Sequence, residues 1–158
     1  MASEALKKLV YRDFEEYSNQ STLFIGTGIF FYHSKIKTVS FSKAVSMNSY
    51  PFFNCTALTT ANLPVMEAIS PYAFSGCSAL TSISIPEATA INLYSFQNCT
   101  ALTTINLPKI TMINSNAFSG CTALTEIHFA AANQSVIEAN QDYSNKWGAT
   151  NATIYFDL

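Results

Sequence analysis

Residues 96–108 read F-Q-N-C-T-A-L-T-T-I-N-L-P, and the thirteen positions that start 22 residues earlier, 74–86, read F-S-G-C-S-A-L-T-S-I-S-I-P. One step further back, 52–64 read F-F-N-C-T-A-L-T-T-A-N-L-P, and one step forward, 118–130 read F-S-G-C-T-A-L-T-E-I-H-F-A. The four cysteines of the chain, Cys55, Cys77, Cys99 and Cys121, therefore stand 22 residues apart. A fixed period of this length marks a stacked repeat rather than one irregular core.

Each column of the repeat has a physical reading. Phe52, Phe74, Phe96 and Phe118 precede the cysteines by three, and Leu58, Leu80, Leu102 and Leu124 follow by three. In the run Thr103, Thr104, Ile105, Asn106, Leu107, apolar residues two apart alternate with polar ones, the pattern of a short half-buried strand, and Pro108 ends it. Such strands stack in register as a parallel sheet with about 4.8 Å between coils. One turn earlier the cysteine register falls on His33, with Phe30, Ile36, Val39 and Phe41 in the matching columns, which makes a fifth, degenerate coil. The position before Cys alternates Asn54, Gly76, Asn98, Gly120, the residue types that visit left-handed backbone most cheaply. This column is expected to have positive φ and to end a short helical turn. Ile69, Ile91 and Ile113 would then lie on the inward side of that turn.

The repeat unit resembles the leucine-rich repeats of the BspA-like (Treponema-type) family of bacterial surface proteins. The resemblance runs from Thr22 to Phe129 and is sharpest in the A-F-S-G-C-x-A-L-T copies that start at Ala73 and Ala117. It departs from the common eukaryotic-type repeat at Met66, Ala88 and Ile110, where that repeat places Asn or Cys, and Ala61 stands where Ile is usual. The resemblance implies an extracellular or cell-surface recognition and adhesion module for protein or glycan ligands. The C-terminal segment is similar to those of gut-bacterial and prophage-borne repeat proteins, which implies as an alternative a structural or receptor-binding component of a prophage tail particle.

The expected architecture is a single-domain α/β repeat solenoid of about five coils with a short parallel sheet on one face. Residues 1–21 form a helical N-terminal cap, 22–130 the solenoid and 131–158 a mixed C-terminal cap. The N-terminal helix is read from Leu6, Leu9, Val10, Phe14 and Tyr17, a helical stripe within residues 3–17 that either covers the first coil or docks another chain. At the other end Ser135 and Glu138 have capping-box spacing for a short helix reaching about Tyr143. Trp147 is placed to plug the last coil, and residues 153–156 form a closing strand.

Composition narrows the function. The 158 residues are 49% apolar and only 11% charged, with net charge −2, so no field attracts nucleic acid or an anionic membrane. Residues 1–20 hold no apolar signal core, and no stretch approaches the roughly 18 apolar residues of a membrane span. The expectation is a soluble chain without membrane insertion, with its localisation open. No nucleophile-base motif, glycine-rich phosphate loop or zinc-binding H-E-x-x-H occurs, and Glu67, Glu87 and Glu126 fall in different columns. No catalytic residue, cofactor or metal is expected. The cysteines read as small buried hydrophobes, with a disulfide between coils as the alternative and a metal cluster as the least favoured reading. His33 reads as structural, and the sequon asparagines Asn54 and Asn98 are explained by their backbone position.

The candidate binding face is the outward row of the strands: Thr38, Ser40, Thr60, Asn62, Ser82, Ser84, Thr104, Asn106, Glu126 and His128. It is mostly small and uncharged, the kind of extended surface that solenoids present to partners. Tyr50, Tyr72 and Tyr94, five before each cysteine, form an aromatic ladder on the turn-bearing side, either as packing or as a second surface.

Overall fold

The computed structural model describes residues 14–158. Twelve short strands follow one another: β1 (Glu16–Asn19), β2 (Phe24–Ile25), β3 (Thr38–Phe41), β4 (Ser46–Met47), β5 (Thr60–Asn62), β6 (Ala68–Ile69), β7 (Ser82–Ser84), β8 (Ala90–Ile91), β9 (Thr104–Leu107), β10 (Met112–Ile113), β11 (Glu126–Phe129) and β12 (Thr153–Phe156). All the pairings are parallel. The chain winds as a solenoid with five 22-residue coils and one further rung at each end. The 22-residue step is kept on both sides of the coil, as in Thr38↔Thr60↔Ser82 and Ala68↔Ala90↔Met112. At the last step Glu126 pairs with Thr153, so this coil is five residues longer than the others.

Two sheets run along the stack where the alternation predicted one. The longer strands form β1-β3-β5-β7 and β9-β11-β12, and the two-residue strands form β2-β4 and β6-β8-β10. Ile69, Ile91 and Ile113, expected inside a helical turn, lie in this second set of strands and are buried. The first sheet breaks between β7 and β9 although the coils keep their length, and no residue type at the break accounts for it.

The inside of the stack explains the repeat columns. Phe30, Phe52, Phe74, Phe96 and Phe118 are fully buried and lie ring over ring, with centroids 5.4, 5.0, 5.5 and 5.5 Å apart. Each cysteine is free and buried. Its thiol donates to the carbonyl of the phenylalanine one coil before: Cys55 to Phe30 at 2.9 Å, Cys77 to Phe52 at 3.1 Å, Cys99 to Phe74 at 3.2 Å and Cys121 to Phe96 at 2.9 Å. Cysteine suits the column because it is small, apolar and still a weak donor. His33 keeps the column's burial by a different bond, its Nδ1 accepting the Ile36 amide at 3.0 Å. Ala61 is fully buried in the isoleucine column.

The Asn-Gly alternation before cysteine has a cause in the stacking. All four residues have positive φ, as expected (Asn54 57°, Gly76 78°, Asn98 59°, Gly120 76°). A Cβ on Gly76 would sit 2.6 Å from Asn54 Oδ1, and one on Gly120 2.1 Å from Asn98 Oδ1. Each asparagine side chain thus occupies the space above the next coil's glycine, and the stack has a two-coil period within its one-coil period. The turns themselves close by bonds such as Cys99 N to Phe96 O at 3.1 Å and are not helical.

Both ends differ from expectation. Residues 3–13 of the predicted N-terminal helix lie outside the described residues. The described remainder of the 1–21 segment contains a strand: Tyr17, assigned to the helical stripe, lies in β1 and pairs with Val39 of β3, its ring 5.1 Å from Phe30 and 5.3 Å from Phe41. Pairing at the open edge of the sheet and ring burial outweigh a local helical spacing here. At the C-terminus the helix spans Gln134–Glu138 and has no side-chain cap. Ser135 lies inside it rather than ahead of it, so the capping box does not form, and the helix ends before Tyr143, which starts a separate 3-10 segment, Tyr143–Gly148. Asn133 and Asn140 instead donate their side-chain amides to the carbonyls of Ile110 (3.1 Å) and Ile113 (3.0 Å), satisfying that edge of the stack. Trp147 plugs the last coil as expected: it is fully buried, edge-on to Phe129 at 5.9 Å, and its indole donates to Asn140 Oδ1 at 2.9 Å. The Trp147 carbonyl accepts from Phe118 N at 3.0 Å, the place that Ala117 fills for Phe96 one coil earlier.

Candidate functional site

The strands bring the predicted binding face together in ranks. Thr38, Thr60 and Ser82 form one file and Ser40, Asn62 and Ser84 its neighbour, while Thr104 with Glu126 and Asn106 with His128 continue both beyond the break between β7 and β9. All ten side chains are half-buried or exposed. Few contacts tie them to one another: Asn62 Nδ2 donates to Ser40 Oγ at 3.3 Å, and Thr104 Oγ1 donates to Glu126 Oε2 at 3.2 Å. The end strands lengthen the face with residues the repeat pattern did not include, Glu16 and Ser18 from β1 and Thr153 and Tyr155 from β12. Beside the files, hydroxyls bond down the stack, Thr59 Oγ1 to the Lys37 carbonyl at 3.0 Å and Thr81 Oγ1 to the Thr59 carbonyl at 3.2 Å, which stiffens the margin of the face.

Its C-terminal end is the most polar part. His128 Nδ1 lies 2.8 Å from Asp157 Oδ1, its Nε2 lies 3.6 Å from Glu126 Oε2, and its ring stacks on Tyr155 at 4.7 Å. The imidazole stands between two carboxylates and fastens the closing strand to β11. Both ring nitrogens point at acids and neither at a hydroxyl or thiol nucleophile, so the cluster lacks the arrangement of a nucleophilic triad. Asp157 lies outside every repeat column, which is why the sequence did not reveal it. Among the described residues no group of three or more His, Cys, Asp or Glu is arranged to hold a metal ion. Burial pushes the thiols of Cys77 and Cys99 well above their usual range, which keeps them protonated and inert.

The turn-bearing side carries the second candidate surface. The rings of Tyr50 and Tyr72 stack at 4.9 Å, and those of Tyr72 and Tyr94 at 5.1 Å. The row continues through Phe53, 5.7 Å from Tyr50, to Phe31 and Tyr32 of the first coil. Between the two sides an open groove is lined by Val45, Val65, Glu67, Glu87, Thr89 and Lys109, with Lys109 Nζ 2.6 Å from Glu87. Among the described residues no helix is long and apolar enough to cross a membrane.

Parallel coils on a fixed period, a buried aromatic and thiol core and long polar outer files define a leucine-rich-repeat solenoid. The family described as BspA type leucine rich repeat region matches residues 18–145 in six copies, and the chain belongs to it. Solved structures agree on the fold. A leucine-rich repeat protein from Bacteroides ovatus superposes with a TM-score of 0.73 at 21% identity, over 93% of this chain and 44% of that one. A leucine rich cell surface protein from Faecalibacterium prausnitzii gives 0.56 at 21% identity, over 75% and 48% of the two chains. The leucine-rich repeat protein of T. pallidum gives 0.51 at 17% identity, over 91% and 75%. The chain thus spans less than half the length of the first two. A search of curated proteins finds no match.

Proposed function

We propose that this chain is a non-catalytic recognition module of a bacterial cell surface, and that it binds a protein or glycan ligand through the outward files of its longer strands. The observation that carries this reading is the register. Thr38, Thr60 and Ser82, with Ser40, Asn62 and Ser84 beside them, are held in line by parallel pairing on a rigid core, so a ligand meets many small polar groups already in place. The F. prausnitzii relative, described as a cell surface protein, supports the setting. The polar chemistry of the face suits many individually weak hydrogen bonds, and its few charges make binding weakly dependent on salt.

A glycan and extracellular-matrix array probed with the purified chain tests this, beside a variant carrying Thr60→Arg, Ser82→Arg and Thr104→Arg. The expected result is binding that the variant loses. Binding that the variant retains in full would move recognition away from the strand files, and no binding by either protein would favour a structural or assembly role.

A further inference from the structure

The break between β7 and β9 lies in the middle of the strand face, and the hydrogen bonds show how local it is. In the intact coils two successive amides share one carbonyl of the coil before: Thr59 and Thr60 bond to Lys37 O, Thr81 and Ser82 to Thr59 O, and Thr125 and Glu126 to Thr103 O. The hydroxyls of Thr59, Thr81 and Thr125 donate to the same carbonyls. Thr103 and Thr104 make no such bond to Thr81 O. At the far end of the strands Leu63 N bonds to Ser84 O at 2.9 Å, while its counterpart Ile85 N has no bond to Asn106 O.

Both margins of the break stay tied. Ahead of the strands Gly76 N bonds to Gln97 O at 2.7 Å, Thr100 Oγ1 donates to Ser78 O at 3.2 Å, and Phe74 and Phe96 stack at 5.5 Å. Beyond them Lys109 pairs with Glu87 at 2.6 Å and β10 pairs with β8. The break is therefore a notch one strand long and not a parting of the coils. Its floor is apolar. In the inward column of β3 to β11, Val39, Ala61, Ile105 and Ile127 are at most 2% exposed, and Ile83 alone is half-buried. Ser82 and Ser84 stand exposed on its rim.

Backbone groups left without a partner take one from solvent or from a ligand. Here an acceptor, Thr81 O, faces two donors one coil on, the amides of Thr103 and Thr104, beside an aliphatic side chain. A secondary amide matches all three: its N–H donates to the carbonyl, its oxygen accepts from the amides, and a methyl group on its carbonyl carbon rests on Ile83. A hydroxyl makes the same bonds but has nothing to set on the isoleucine. An extended peptide also carries amides, yet it needs an unpaired edge several residues long, and both margins of the notch are closed. The acetamido group of a sugar projects from its ring and enters a short notch singly, which leaves the ring hydroxyls to Ser82, Ser84 and Asn106 on the rim.

We propose that the notch between β7 and β9 is an acetamido subsite, and that the ligand of the strand face is a glycan containing N-acetylated amino sugars. The proposal rests on the recognition role of that face and names the class of ligand it takes.

Amide hydrogen exchange and nitrogen-15 shifts of the full chain test it, in a titration with the trisaccharide of N-acetylglucosamine up to about 10 mM, which covers millimolar affinity. In the free chain the amides of Thr103 and Thr104 should exchange fast and those of Ser82 and Glu126 slowly. The trisaccharide should slow and shift the first pair, and the glucosamine trisaccharide, which lacks the acetyl groups, should do neither. Ile83→Ala sets in the column the residue already present at Ala61; it should keep the native circular dichroism and weaken binding about tenfold. Free-chain amides of Thr103 and Thr104 as protected as that of Ser82 would overturn the proposal. So would no response to the N-acetylated trisaccharide, or an equal response to the glucosamine trisaccharide or to N-acetylalanine methylamide. Array hits without N-acetylated amino sugars that the arginine variant loses would refute this subsite and leave strand-face recognition standing.

Discussion

On the strand side the outward positions lie in extended backbone that any L-residue adopts, and their columns vary from Thr and Ser to Asn, Glu and His as the coils advance. On the turn side each coil passes twice through the left-handed region, five residues before the cysteine column and one residue before it. There the choice narrows to Gly, Asn and the anomalous Tyr. The same 22-residue step thus carries a permissive surface on one side and a constrained one on the other. Side-chain choice is free where backbone geometry makes no demand and narrow where the left-handed region is imposed.

Substitutions should break or sharpen this contrast in a definite order. Phe96→Ala acts beneath the turn side, where the ring is stacked between Phe74 and Phe118. It should cost about 3 to 5 kcal/mol in urea unfolding, and a loss below about 1 kcal/mol would contradict the stacked core. Gly120→Ala adds a Cβ 2.1 Å from Asn98 Oδ1 at a φ of 76° and should cost about 2 to 3 kcal/mol. Adding Asn98→Gly removes the clash but not the backbone strain, so the double variant should recover part of the loss, and strict additivity would mean the two-coil alternation has another origin. Tyr72→Asn relieves left-handed strain but gives up the ring stacks on Tyr50 and Tyr94, so its net effect on stability should stay within about 1 kcal/mol of zero. Thr60→Arg and Ser82→Arg should each change stability by less than about 0.5 kcal/mol, and Thr104→Arg by less than about 1 kcal/mol, because it gives up the hydroxyl bond to Glu126.

The repeating part of the molecule was legible from its period because each column meets the same surroundings in every coil. Once Cys55 to Cys121 set the register, the strands, the buried phenylalanines and the positive-φ Asn-Gly column followed. The second sheet escaped notice because strands such as Ala68–Ile69 are too short to show alternation. Tyr17 was misread because its spacing from Phe14 suits a helix, whereas the open edge of β3 offered it a sheet partner. Ser135 and Glu138 have capping-box spacing, but the preceding 3-10 turn lets the helix start at Gln134. Asp157 could not be anticipated, since its partnership with His128 depends on the five extra residues of the last coil. The left-handed tyrosines were signalled, faintly, by Gly28 and Asn116 in their own column.

The central claim is that the outward strand files, and not the turn side, carry recognition, and one paired measurement tests it directly. The strand-face arginine variant and a turn-side variant, Tyr50→Asn, Tyr72→Asn, Tyr94→Asn, are each examined for array binding, with a ligand concentration series for any hit, and for circular dichroism. The account predicts that the arginine variant loses the ligand while its circular dichroism stays native, and that the asparagine variant keeps the wild-type ligand affinity. If the asparagine variant lost the ligand and the arginine variant kept it, each with native circular dichroism, recognition would lie on the turn side and the account would fail.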